Sequence, residues 1–141
     1  MIDMKVNAAM HRGVEWCAPD TPIMEIARLF REKDIGAIPI GENDRLVGML
    51  TDRDIVCRGL AEGRDVASMT AGDVMTRDII YCWEDDDIED AVHLMEEHRV
   101  RRVPVLNSDK RMTGMLSMGD ISHAANPELC REFLGAVAAH H

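Results

Sequence analysis

Shifted by 65 positions, the first half of this chain falls onto its second half. Met10 meets Met75, Arg12 meets Arg77, Cys17 meets Cys82 and Asp20 meets Asp85. Ile23 then meets Ile88, Leu29 meets Leu94, Glu32 meets Glu97, Pro39 meets Pro104 and Asp44 meets Asp109. One extra residue near Lys110 lengthens the shift to 66. Beyond it Arg45 meets Arg111, Gly48-Met49-Leu50 meets Gly114-Met115-Leu116, Thr51 meets Ser117, and Asp54-Ile55 meets Asp120-Ile121. The insertion falls in a polar turn, where loops tolerate it. Such a duplication constrains the fold strongly. Each copy is one supersecondary unit whose exposed sheet face is buried only by packing on a neighbour, so the two copies are expected to pack sheet to sheet about a pseudo-two-fold.

Each copy reads as β-α-β-β-α, which makes the fold mixed α/β (α+β). A short extended run comes first, Val14–Cys17 in one copy and Ile79–Cys82 in the other. An amphipathic helix follows. In copy one Thr21 is the expected N-cap with Pro22 in the first helical position, and Ile23, Ile26, Ala27 and Phe30 fall on one face. In copy two Asp86-Asp87-Ile88-Glu89 has the spacing of a capping box, and Ile88, Ala91, Val92 and Met95 form the apolar face. Two hairpins come next, Ala37–Ile40 with Leu46–Leu50 and Arg102–Leu106 with Met112–Leu116, joined by polar turns. A second helix starts near Thr51 and near Ser117. The boundaries are 8–58 for the first repeat, 59–72 for a glycine-containing linker, 73–125 for the second repeat, and 126–141 for a last helix and tail. That helix is placed at roughly Glu128 to Ala139, for packing or dimer contact.

Composition narrows the function classes. The net charge of −10 repels polyanions on average, which disfavours nucleic acid and acidic membranes. A single small anion is still within reach of a few local arginines. The N-terminus has no long apolar run, and nothing approaches the roughly 18–20 residues of a membrane helix. Cys17, Cys57, Cys82 and Cys130 are dispersed, with no CxxC, as expected of a cytoplasmic protein with reduced thiols.

The strings DIGAIPIGENDRLVGMLTDRDI and RVRRVPVLNSDKRMTGMLSMGDI, with their leading segments, resemble cystathionine-β-synthase (CBS) domains. The resemblance covers about residues 8–125 and occurs twice, so the chain resembles a tandem CBS pair (Bateman module) of the small stand-alone hypoxic-response type found in bacteria. The repeated G-h-h-[ST]-x-x-D, with h-P-h upstream, carries it. The resemblance implies a regulatory module with a cleft between the repeats that binds AMP, ADP, ATP or a related adenosyl ligand. No cofactor is required. The expected partners are a second copy of the chain, in a flat disc of four repeats, and an unidentified effector protein. One ligand position would use Thr51 and Asp54 with Ala37, Ile38 and Pro39. The other would use Ser117 and Asp120 with Arg102, Val103 and Pro104.

The chemistry of these residues is consistent with that role. A strand end meeting a helix start gathers backbone N–H groups and the positive helix dipole, which suits phosphate. An aspartate one turn on accepts hydrogen bonds from ribose hydroxyls. Gly48 and Gly114 permit close approach of a ligand or of neighbouring backbone. Arg53, Arg101 and Arg102 are the candidate phosphate partners. The same T-x-x-D and S-x-x-D spacings are also ordinary helix caps that need no ligand.

Other readings compete. Cys17 and Cys82 occupy equivalent positions, open to a thiol- or metal-based redox role, although free cysteines are usually buried hydrophobes. His93 and Glu97 have a metal-compatible i, i+4 spacing, but with Glu96 and His98 they read as a solvated face. The acidic run Glu84–Asp87 is accounted for by a helix N-terminus. Trp16 and Trp83 are expected in the core or at its rim rather than as base-stacking platforms. No nucleophile, metalloprotease or phosphate-loop motif is present, so an enzyme is not expected; a purely structural dimerisation module stays open.

Overall fold

The computed structural model describes residues 4–124 and Arg131. Apart from Arg131, which is helical, the expected C-terminal helix lies outside the described residues. Two compact units are present, one built from Met1–Val14 with Ile80–His141 and the other from Glu15–Ile79. Each holds helices against one small sheet, a mixed α+β arrangement.

In the Glu15–Ile79 unit, helix α2 (Ile23–Lys33) buries Ile23, Ile26 and Phe30 on the face expected from their spacing. Its N-cap is Pro22, one residue later than expected, and Thr21 makes no cap bond there. The helix ends at Asp34, which turns left-handed at φ 53°. Strands β1 (Ala37–Glu42) and β2 (Arg45–Thr51) form an antiparallel hairpin. Asn43 and Asp44 both have positive φ, the tight turn whose twist matches that of the strands. The first extended run is shorter than expected: Cys17 alone bridges Ile40, in parallel. The second helix is also interrupted. Helix α3 (Asp52–Asp54) continues as a π-helical turn, Ile55–Gly59, and a 3-10 turn, Leu60–Glu62. Arg58 supports this stretch, donating to the carbonyls of Val74 and Met75 at 3.1 and 3.3 Å.

The other unit repeats the plan. Strand β3 (Cys82–Trp83) runs parallel to β4 (Arg102–Leu106), which pairs antiparallel with β5 (Met112–Ser117). The irregularity between Val105 and Leu106 in β4 matches that between Ile40 and Gly41 in β1. The extra residue lies in the β4–β5 turn, where Asn107 Oδ1 accepts the N–H groups of Asp109 and Arg111. Helix α5 (Ile88–His98) buries Ile88, Ala91, Val92 and Met95, as its spacing requires. The expected capping box is absent. Asp87 is the N-cap without a side-chain bond, and the Asp86 carboxylate accepts the N–H of Trp83 at 2.9 Å. Helix α6 (Met118–Ala124) follows β5 directly.

The compact units are offset from the sequence repeats. The segment that opens the first repeat, including α1 (Val6–Ala9), belongs to the unit of the second repeat's sheet. There Val6 is fully buried with Val92, Met95 and Leu116, and His11 pairs antiparallel with Met115. The equivalent segment of the second repeat, including α4 (Ala71–Val74), belongs to the first repeat's sheet. Met69 and Ala71 enter its core, and Thr76 pairs with Met49. Burying a side chain such as Val6 or Met69 contributes about 1.5–3 kcal/mol. Within the stretch read as linker, Gly59, Met69 and Ala71 are buried, while residues 60–65, Ala67 and Ser68 are exposed.

Candidate functional site

In each unit a strand pair hands the chain directly to a helix. Ala37 lies opposite Thr51 across the β1–β2 ladder, and Arg102 lies opposite Ser117 across β4–β5. The next residue of the helix then reaches back. Asp52 N–H donates to the Gly36 carbonyl at 2.9 Å, and Met118 N–H donates to the Arg101 carbonyl at 2.9 Å. Each site thus has the residues before one strand, the end of the next, and the first helical turn on one corner.

The hydroxyl and carboxylate of each motif form a reciprocal cap. Asp54 Oδ2 accepts Thr51 N–H at 2.9 Å while Thr51 Oγ1 accepts Asp54 N–H at 3.1 Å. Ser117 and Asp120 repeat both bonds at 2.9 and 3.1 Å. Thr70 and Asp73 use a related arrangement at the start of α4, with Thr70 N–H on Asp73 Oδ2 at 2.8 Å. That backbone bond, above other causes, holds the Asp73 carboxyl below its ordinary range. The T-x-x-D spacing alone therefore marks a helix start. What distinguishes Asp54 and Asp120 is their position beside a strand end. Their side chains are 15% and 20% exposed.

The reading of free N–H groups needs correction in the first repeat. Thr51, Asp52 and Asp54 have their N–H groups taken as above, and Arg53 N–H donates to Asp52 Oδ1 at 2.8 Å. With two carboxylates in the turn, this corner is poorly suited to a phosphate on the helix end. In the second repeat Met118 replaces the aspartate, so Gly119 N–H has no such acceptor before it. Arg53, Arg101 and Arg102 are all exposed. Ile38, Pro39, Val103 and Pro104 are buried, Ile38 and Val103 completely, inside their own cores. Their side chains shape the strand rather than line a surface.

Two partners were not visible in the motifs. His11 Nδ1 lies 2.9 Å from Asp120 Oδ2, and Arg58 Nε lies 4.0 Å from Asp54 Oδ1. The helical spacing of Asp54 and Arg58 signals the second; His11 depends on the segment exchange, which leaves no local signal. The glycines also have a structural reason. A Cβ on Gly48 would meet Met75 Sδ at 2.6 Å, and one on Gly114 would meet the His11 carbonyl oxygen at 2.6 Å.

Cys17 and Cys82 are not activated thiols. Burial, with Glu25 and Glu15 adding to it, raises the pKa of Cys17, and burial pushes Cys82 up to about 12. The acidic run is used structurally: Glu84 Oε2 accepts the Thr113 hydroxyl and Asp87 pairs with Lys5 at 2.7 Å. Among the described residues no group of three or more His, Cys, Asp or Glu side chains is placed to hold a metal ion, and no helix is long and apolar enough to cross a membrane. Trp16, 49% exposed, lies over Gly41, and Tyr81 meets Trp83 edge-on at 5.4 Å, both rim positions.

Comparison with known proteins agrees with the duplication. The CBS-domain profile matches residues 6–58 and again 71–126. Hypoxic response protein 1 of Mycobacterium tuberculosis (strain CDC 1551 / Oshkosh) is 40% identical over 131 residues, covering 92% of this chain and 91% of that protein. The crystal structure of Hypoxic Response Protein I with two coordinated zinc ions has a TM-score of 0.79 at 41% identity, covering 86% of this chain and 99% of that one. The structure of CBSX2 in complex with AMP has a TM-score of 0.76 at 26% identity, covering 85% and 94%. With two matched repeats spanning most of its length, the chain belongs to the CBS-domain family as a tandem pair.

Proposed function

We propose that this chain is a regulatory module, not an enzyme, which binds an adenine nucleotide (AMP, ADP or ATP) or a related adenosyl ligand and passes a conformational change to an effector. One observation carries the reading: the same hydroxyl–carboxylate corner, at the same two distances, stands beside a strand end in both units. Thr51 and Asp54 with Ala37 supply sugar contacts in the first repeat, where any phosphate falls to the exposed Arg53, and Ser117 and Asp120 with Arg101 and Arg102 supply sugar and phosphate contacts in the second. The strands through Ile38-Pro39 and Val103-Pro104 supply backbone to the base. The AMP complex of CBSX2 supports this choice of ligand class. A cytoplasmic homodimer of four repeats completes the proposal.

The ligand shifts the module only through unequal affinities for two states. It also stabilises the fold by mass action, about 2.7 kcal/mol at a hundredfold excess over Kd. A thermal-shift panel of AMP, ADP, ATP, S-adenosylmethionine and guanine nucleotides tests the reading. A rise in Tm with an adenosyl ligand but not with GMP is expected. No rise with any of them would leave a structural dimerisation module as the better description.

A metal reading has one observation in its favour, the zinc ions of the hypoxic response relative. Among the described residues neither Cys17 nor Cys82 belongs to a group of three or more His, Cys, Asp or Glu side chains placed to hold a metal ion. Elemental analysis of purified protein, with and without chelator, decides between the two.

A further inference from the structure

The carboxylate of Asp120 is already half committed. Its Oδ2 accepts Ser117 N–H at 2.9 Å and lies 2.9 Å from His11 Nδ1, while Oδ1 accepts no hydrogen bond from the described residues. A carboxylate oxygen has two lone-pair sites, so Oδ2 is full and only Oδ1 is left for a hydroxyl donor. His11 is 54% exposed, yet its backbone is fixed. His11 and Met115 exchange both N–H···O bonds at 3.0 Å, over a glycine whose added Cβ would meet the His11 carbonyl oxygen at 2.6 Å. The ring is thus delivered to Asp120 by the segment that opens the other repeat. The first repeat's corner is built differently. Thr76 occupies the equivalent position, and Arg58, from the same helical stretch, lies 4.0 Å from Asp54 Oδ1.

We infer that His11 is a positioning residue of the second ligand position: by donating from Nδ1 to Asp120 Oδ2 it orients the carboxylate and reserves Oδ1 for a ribose hydroxyl. This rests on the reading of Asp120 as the sugar-holding carboxylate. The Nδ1–H tautomer and the imidazolium both make the bond. His11 therefore sets how strongly this position discriminates ribose from a sugar without hydroxyls.

The test is calorimetry on the full chain with AMP and with 2′,3′-dideoxy-AMP, in an Asp54→Asn background so that the second position dominates. His11→Ala is expected to weaken AMP about tenfold, the scale of a charge-assisted hydrogen bond, and to leave the dideoxy compound unchanged. His11→Asn, whose amide nitrogen sits near the position of Nδ1, restores most of the discrimination; His11→Gln does not. If His11→Ala keeps the discrimination, or weakens both compounds equally, the positioning role is wrong while the adenosyl reading stands. If the chain with native Asp54 and His11 binds neither compound, the adenosyl reading and this role fall together.

Discussion

Gly48 and Gly114 occupy equivalent positions but meet different neighbours. The first faces a flexible thioether, with the Thr76 carbonyl at 3.1 Å, and the second faces a main-chain oxygen at 2.6 Å. Met75 can swing aside; the His11 backbone cannot move without breaking its pairing with Met115. Gly114→Ala is expected to destabilise by about 1–3 kcal/mol and Gly48→Ala by less, read from urea denaturation. A larger loss at Gly48 would contradict this. The thiols give a second residue-scale prediction. Cys57 is exposed, whereas Cys82 is buried with its pKa pushed up to about 12 from an ordinary 9.0. Cys57 should react at once with a thiol reagent near about pH 8, and Cys82 only on unfolding. In the window from 9.0 to about 12 the folded chain holds the Cys82 proton that the unfolded chain releases. Stability contributed by the neutral buried thiol is thus complete below pH 9.0 and lost as pH rises through that window. The parent should show a steeper alkaline decline than Cys82→Ala. At this scale the motif residues were legible, because hydroxyl and carboxylate lie three apart on one turn. Their other partners were not: the N–H groups taken by Asp52 and Gly36, and the imidazole on Asp120, depend on how the chain returns.

At the scale of elements, the apolar spacing of α2 and α5 and the two hairpins follow from local pattern, and both helices have the faces their sequences require. Boundaries slipped where two local signals compete. Thr21 and Pro22 are both plausible openings for α2, and the helix begins after the proline. The opening strands contract to Cys17 and to Cys82–Trp83, because the hairpins offer them a parallel partner over only one or two residues. The caps predict a measurable symmetry: Thr51→Ala and Ser117→Ala should each cost about 1 kcal/mol, since each removes the acceptor for an N–H of the first turn. Unequal losses would show that one corner is not held by its cap. The exchanged segments make a further prediction. Val6 is fully buried, so Val6→Ala should cost about 1.6 kcal/mol at about 0.8 kcal/mol for each buried methylene-sized group, with any cavity adding to it. Hydrogen exchange should rise in β4 and β5, whose units it shares, before it rises in β1 and β2. The reverse order would contradict the exchange.

For the whole molecule, the duplication read from sequence is present as two units with matching hairpins, bulges and caps, but each unit takes its opening segment from the other repeat. A shift of 65 residues reveals which segments are equivalent and is silent on which sheet each one joins, since that choice is made by non-local pairing of His11 with Met115 and Thr76 with Met49. The corners formed this way are chemically unequal, one with two carboxylates and a closed set of N–H groups, the other with a single aspartate that His11 contacts. The central claim is that Asp54 and Asp120 hold the sugar of an adenosyl ligand. Isothermal titration of AMP into the parent and into the Asp54→Asn, Asp120→Asn double variant tests it most directly, because asparagine keeps a capping oxygen while removing the charge. Saturable binding by the parent and its loss in the folded double variant are predicted; equal binding by both, or none by the parent, would contradict the claim.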